Sequence, residues 1–340
     1  MLSAHPSFRP HPLLRSAHLM TIFGSQLSRG LGEFAAAAEQ VEVPVDARTR
    51  ILAEVNWQAD RGAPVLIIVH GLGGDARRSY VLGTADKAWR SGFSVVRMNM
   101  RNSAGTEAWT PTLYNAGLTE DLEATVHWLG RTVPGVPLVY CGYSLGGSVT
   151  LNTLAKWGER LPEGSAGTVV VSVPLDLHAA DLALRRPGIN RLYVKYFLRS
   201  FRAMWKAKHA AYPELYPVDG LATVRSVRDF DEQWTGPNFG YSGADEYYSA
   251  AQAVDKLDQI ALPGLVVHAE DDPFVPLTQQ ARLALADHPT LELLLSDKGG
   301  HVGFLARRPQ AEADGWRDLD GRWAENRVVQ AATQFLRMEG

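Results

Sequence analysis

One rhythm constrains this sequence more than any other feature. Six short aliphatic runs, at 65–69, 93–98, 138–141, 168–173, 265–268 and 291–295, each end in a glycine-rich or polar loop, and each is followed by a helix-like stretch. A strand buried on both faces has no polar face to show, so it reads as a near-continuous apolar run, and such strands belong to parallel sheets covered by helices. Strand–helix alternation gives the same reading, an open α/β sheet. Ligands in such sheets bind beyond the carboxyl ends of the strands. The loops after the six runs are therefore where chemistry is expected.

Residues 1–38 read as an irregular arm with one short helical piece, packing on the core. Residues 41–45 and 51–57 alternate polar and apolar around a turn at 46–49, the pattern of an antiparallel hairpin. Between 173 and 265 the rhythm lapses. Residues 176–250, rich in aromatic and basic side chains and helical in pattern, are expected to form a lid or cap over the sheet, dividing the core into 39–175 and 251–340. The stretch 323–338 reads as a closing amphipathic helix.

Composition excludes several classes. The net charge of −3 provides no basic excess for phosphate backbones, which disfavours a nucleic-acid binder. Cys141 is the single cysteine, so neither an intramolecular disulfide nor a cysteine-based zinc site can form. His127, His178, His209 and His288 show no ligand spacing, and no metal or organic cofactor is expected. The longest pure aliphatic run is the one at 65–69, far short of the roughly 20 apolar residues of a membrane-spanning helix. The first twenty residues lack the apolar centre of a signal peptide and contain three prolines, so a cytoplasmic location is expected.

The third aliphatic run leads into Gly142-Tyr143-Ser144-Leu145-Gly146-Gly147, and a helical pattern follows. This is G-x-S-x-G between a strand and a helix, the setting in which the serine sits on a sharp, strained turn with its Oγ projecting from the sheet. The glycines on either side remove side chains that would collide with the crossing strand and helix. The alternative is a glycine-rich turn whose serine is merely a cap. The first run leads into His70-Gly71-Leu72-Gly73-Gly74. It lacks the endings and spacings of a phosphate loop. Such a loop can instead turn backbone N–H groups toward the serine, and the two donors an oxyanion needs are assigned to Leu72 and Leu145. His70 reads as a loop-shaping residue.

The last two runs lead into Glu270-Asp271-Asp272-Pro273-Phe274-Val275-Pro276 and into Gly299-Gly300-His301-Val302-Gly303-Phe304. The order serine, acid, histidine is the one that α/β-hydrolases use. A serine hydroxyl is a weak nucleophile, so His301 would take its proton while a carboxylate holds the imidazole in the right tautomer. Asp272, opening the D-P-F-V-P stretch, is favoured as that acid, with Asp271 as the alternative. Each element alone has a bland reading as an ordinary turn. Their joint order does not.

Here the sequence resembles the α/β-hydrolase superfamily, and more narrowly its YheT-like branch, with plant embryogenesis-associated hydrolases and the one- and three-type animal abhydrolase-domain proteins. Besides the loops above, the resemblance rests on Phe8-Arg9-Pro10 with His18-Leu19-Met20-Thr21-Ile22, on Tyr114-Asn115-Ala116-Gly117 with Glu120-Asp121, and on Arg228-Asp229-Phe230-Asp231. It implies a serine esterase or lipase-like fold with a helical lid, acting on short-chain carboxylic esters, acylglycerols or phospholipids. It carries the catalytic roles onto Ser144, Asp272 and His301. The loop that commonly reads R-G-x-x-x-S in relatives is Arg101-Asn102-Ser103-Ala104-Gly105 here, and it is expected near the site entrance. Animal relatives carry a membrane anchor with no counterpart in this sequence.

The 176–250 stretch carries one further pattern. Arg191, Lys195, Arg199, Arg202 and Lys206 recur at helical spacing, with Tyr193, Phe197, Phe201 and Trp205 rotated to the opposite face. The bland reading is a helix whose aromatics cover the core and whose basic face is solvated; the sharper one is contact with anionic lipid. The function expected overall is a serine hydrolase acting on a small ester through an acyl-enzyme, with a rate that rises with pH as His301 gives up its proton. Two alternatives stay open: an acyltransferase with the same triad, and a non-catalytic binding module. Nothing in the sequence fixes the oligomeric state.

Overall fold

A computed structural model describes residues 5–27, 29–309 and 316–338 of the chain. Eight strands form one sheet: β1 (Glu39–Pro44), β2 (Arg50–Asn56), β3 (Val65–Val69), β4 (Ser94–Met98), β5 (Leu138–Tyr143), β6 (Ser165–Val171), β7 (Gly264–Ala269) and β8 (Leu291–Ser296). Their spatial order is β1-β2-β4-β3-β5-β6-β7-β8. β1 and β2 form the expected antiparallel hairpin, and β2 pairs antiparallel with β4. From β4 to β8 every pairing is parallel. All six aliphatic runs are thus parallel strands. β3, β4, β5 and β7 are buried along their whole length, which is why they show no alternation.

Helices cover both faces. In chain order they are α1 (Ala17–Gln26), α2 (Gly32–Ala36), α3 (Ser79–Arg90), α4 (Glu120–Thr132), α5 (Leu145–Trp157), α6 (Leu177–Leu184), α7 (Asn190–Ala211), α8 (Val227–Phe230), α9 (Gly236–Asn238), α10 (Ala244–Ala251), α11 (Gln279–Ala286) and α12 (Trp323–Met338). Two apolar clusters result, one on each face of the sheet. One joins Val149, Leu151 and Leu154 of α5 to Val65, Ile67 and Val69. The other joins Val328, Val329 and Phe335 of α12 to Leu66, Ile68 and Val169. Adjacent residues of β3 feed opposite clusters, and each fully buried Val, Leu or Ile contributes roughly 1.5–3 kcal/mol.

The N-terminal arm holds two helices, α1 and α2, rather than one. Phe8 packs edge-on against Phe304 and also against Trp323, and Pro10 bridges to Ala306. Between β6 and β7 the chain is helical, with no strand among the described residues. α7 dominates this stretch. Phe201 and Trp205 are buried, while Arg191, Lys195, Arg199, Arg202 and Lys206 are all exposed. No helix among the described residues is long and apolar enough to cross a membrane.

Candidate active site

Ser144 stands between the end of β5 and the start of α5 with φ 52° and ψ −123°. A non-glycine residue held there costs on the order of 1–3 kcal/mol. Its N–H donates to Val171 O at 2.9 Å, and its carbonyl accepts from Gly147 N at 2.8 Å. A Cβ on Gly142 would meet Gly146 O and Gly147 Cα at the start of α5, and one on Gly146 would run into the backbone of Val69 and His70. The sequence therefore has glycine where β3, β5 and α5 touch backbone to backbone.

His301 Nε2 lies 2.9 Å from Ser144 Oγ, and His301 Nδ1 lies 2.7 Å from Asp272 Oδ2. A carboxylate only accepts, so Nδ1 carries the proton and Nε2 faces the hydroxyl as an acceptor. The other oxygen of Asp272 accepts from Phe274 N (3.1 Å) and Val275 N (2.9 Å). This is an Asx turn initiated by Asp-Pro, and it fixes the carboxylate plane. The Phe274 ring packs on the imidazole with centroids 4.2 Å apart. Asp271 is not against the imidazole: its Oδ1 accepts from Gly300 N at 2.9 Å.

The loop carrying His301 is held from three directions. Gly300 N is held by Asp271, His301 N donates to Thr21 Oγ1 of α1 (2.8 Å), and Val302 N donates to Ser172 Oγ just past β6 (3.0 Å). Sequence reasoning missed Ser172, which no motif marks. Thr21 lies in one of the family-typical segments, but its role becomes visible only when α1 is docked.

The 70–74 loop is fixed by tyrosines. Gly71 N donates to Tyr80 OH (3.0 Å) and Gly73 N to Tyr114 OH (3.1 Å). Burial pushes both phenols up to about 12, so they stay protonated. Leu72 N–H, between these two, and Leu145 N–H, at the start of α5, have no protein acceptor among the described residues. His70 is the loop-shaper expected: it is fully buried, with Nδ1 2.8 Å from Gly71 O, while Nε2 accepts from Met100 N at 3.2 Å. Burial holds it down to about 4, keeping it neutral.

The 101–105 loop does not lie at the entrance. Arg101 is buried, paired with Asp121 at 2.6 Å and donating to Thr112 Oγ1 at 2.8 Å, and no residue of that loop lines a cavity at Ser144. The buried charge needs its carboxylate, which pulls the loop into the body of the protein.

Two cavities meet at Ser144. The first is walled by Leu145, Leu184, Phe197, Phe201, Met204 and Phe230. The second takes in His301 together with Thr21, Ser25, Arg78, Tyr193 and Tyr196. Arg78 donates to Gly73 O at 2.6 Å and has no carboxylate in ion-pair reach among the described residues. No group of three or more His, Cys, Asp or Glu among the described residues could hold a metal ion.

The chain has relatives among known proteins. Residues 64–307 match the model of a family described as alpha/beta hydrolase fold. The chain is 32% identical over 339 residues to YheT of Escherichia coli (strain K12), which bears the provisional name of esterase, covering 98% of this chain and 95% of that one. It is 34% identical over 243 residues to the mouse phospholipase ABHD3, covering 71% of this chain but only 58% of the relative. It is 32% identical over 262 residues to the monoacylglycerol lipase of Saccharomyces cerevisiae, covering 74% of this chain and 57% of that one. Among solved structures, the Pyrococcus furiosus esterase Pf2001 shares the fold at a TM-score of 0.53 and 16% identity, over 82% of this chain and 90% of that one.

Proposed function

The chain belongs to the α/β-hydrolase family and is a carboxylic ester hydrolase, and from that premise we propose that it works through an acyl-enzyme on Ser144. The observation that carries the mechanism is the unbroken line from Asp272 Oδ2 through His301 to Ser144 Oγ, at 2.7 Å and 2.9 Å. Ser144 attacks the ester carbonyl while His301 Nε2 takes the hydroxyl proton, and Asp272 stabilises the imidazolium. Leu72 N–H and Leu145 N–H receive the oxyanion, each typically worth about 3–4 kcal/mol in the transition state. His301 then protonates the leaving alkoxide. A water takes the alcohol's place, gives its proton to His301 as it attacks the acyl carbonyl, and His301 returns that proton to Ser144 Oγ as the acid leaves.

This chemistry assigns the cavities. The leaving oxygen must face His301, so the alcohol lies in the second cavity and the acyl chain in the first, whose wall is mostly apolar. The helical stretch between β6 and β7 supplies much of that wall, and we read it as a lid over the site. A lipid or other ester with an apolar acyl chain fits these surroundings, in keeping with the names of the phospholipase and lipase relatives. Ser144→Ala tests the reading. The variant should stay folded, lose uptake of a fluorophosphonate probe, and lose on the order of 10⁶ in kcat on para-nitrophenyl esters. Wild-type uptake of the probe without ester turnover would favour the binding-module alternative. Transfer of the acyl group to an added alcohol in preference to water would favour the acyltransferase.

The outer face of α7 supports contact with anionic lipid. Its five exposed cations have no carboxylate in ion-pair reach among the described residues, and Ile189 and Leu192 beside them are 47% and 59% exposed. Cations flanking exposed apolar side chains suit an interface with negative headgroups. Co-sedimentation should be stronger with anionic than with neutral vesicles at low salt, and equal binding to both would refute this part of the proposal.

A further inference from the structure

The acyl cavity contains a buried carboxyl group that the proposed reaction does not use. Asp231 is 8% exposed and lines that cavity together with Thr235, Tyr247 and Tyr248. It opens a π-helical turn, Asp231–Thr235, a rare conformation that recurs at functional positions. Its Oδ2 accepts from Tyr248 OH at 2.8 Å. No cation is paired with it among the described residues. The nearby Arg228 reaches Asp245 at 2.7 Å and Asp181 at 3.7 Å instead.

The four residues 228–231 therefore divide their work. Arg228 ties two carboxylates, and Asp229 closes a capping box with Ser226. Phe230 stacks on Phe201 with centroids 4.3 Å apart. Those three tasks hold the insertion together. Asp231 instead turns to the acyl wall, where burial raises its carboxyl to about 7. Tyr248 and Thr235 bond to this carboxyl, which still has acceptor positions that a polar group on the chain can meet and a plain hydrocarbon cannot.

We infer that the acyl chain of the preferred substrate carries a hydroxyl group that hydrogen-bonds to the Asp231 carboxyl, making Asp231 a specificity-determining residue. A hydroxyl fits better than an ammonium group. Most of the wall is apolar and its second carboxylate, Asp181, is already paired with Arg185 at 2.8 Å, so desolvating a cation there costs far more than desolvating a hydroxyl. The inference rests on the proposed placement of the acyl chain in the first cavity.

The test uses para-nitrophenyl octanoates in which one hydroxyl is walked along the acyl chain, with the plain octanoate and an ω-amino chain beside them. For at least one hydroxyl position the wild-type kcat/KM should exceed that for plain octanoate. That ratio should fall by about tenfold or more in Asp231→Leu, because a site built to bond a hydroxyl discriminates far more than an apolar wall does. Asp231→Asn, of the same shape, should keep the preference. A wild type that favours no hydroxylated chain overturns the inference even if the Leu variant does not fold. So does an unchanged ratio in a folded Asp231→Leu protein, or a wild-type preference for the ω-amino chain. Absence of both ester turnover and fluorophosphonate uptake would instead sink the hydrolase reading beneath it.

Discussion

Asp271 and Asp272 are neighbours with the same chemistry, yet they do separate jobs. The turn after Ala269 points Asp272 at the imidazole and Asp271 at the backbone of Gly300. Asp272→Asn should drop kcat by on the order of 10⁴, because the amide favours the wrong imidazole tautomer. Asp271→Ala removes one loop hydrogen bond and should cost about tenfold. Steady-state kinetics on one ester separates the two, and equal losses would contradict the division of roles. Thr21 offers a second check. Thr21→Val leaves the buried N–H of His301 without an acceptor, at a cost of roughly 1–3 kcal/mol, and Thr21→Ser restores it. The loss should fall on kcat more than on KM, since the histidine moves and the walls of the acyl cavity do not. At this scale the sequence is legible where a motif fixes the backbone. The serine turn and the Asp-Pro turn carry their geometry in adjacent residues, so Ser144, Asp272 and His301 could be named as candidates, and the fold brings the three together. Tyr80, Thr21 and Ser172 could not, because they meet their backbone partners only across 9, 280 and 130 residues.

Among the elements, α7 shows how a helix can be amphipathic in two senses. Its aromatic face fills the cavity wall and its outer face is basic, as its periodicity indicates. Lys208 breaks the pattern. It is fully buried, and its Nζ donates to the carbonyls of Glu107 (3.3 Å), Thr110 (2.5 Å) and Thr112 (3.1 Å). It lies three residues after Trp205, on the aromatic face, and only the docked 107–112 loop reveals what its charge meets. Lys208→Met should destabilise the fold by about 1–3 kcal/mol, read by urea unfolding. Burial lowers this ammonium from 10.5 to about 7. Between those values the unfolded chain holds a proton that the folded one has shed, so stability rises with pH across that window. The gap between wild type and Lys208→Met should therefore widen from pH 7 toward 10. A gap that narrows would contradict the buried-lysine account. The insertion was legible as helical because its polar and apolar positions repeat every three to four residues. The 101–105 loop was misplaced because sequence does not reveal that Arg101 finds Asp121.

Across the whole molecule, the parallel sheet brings together loops from β3, β5, β7 and β8, and the site forms where those loops converge. That architecture was legible because buried strands advertise themselves as apolar runs. The arm was expected to pack on the core, but its seat on the histidine loop was not legible, since it depends on one close approach: a Cβ on Gly24 would run into Gly303. Gly24→Leu should push α1 off the histidine loop and lower ester turnover at least tenfold, while far-UV circular dichroism stays near wild type. An active Gly24→Leu enzyme would show that α1 is dispensable.

That docking has a consequence for how the protein ages under stress. The histidine proposed as the base depends on a short peripheral helix that contributes little to the hydrophobic interior, and peripheral segments open at lower free energy than central ones. On gentle warming the enzyme should fall silent while its spectrum still looks native, and cooling should bring it back, so that loss of turnover reports fraying at the amino end rather than collapse of the body.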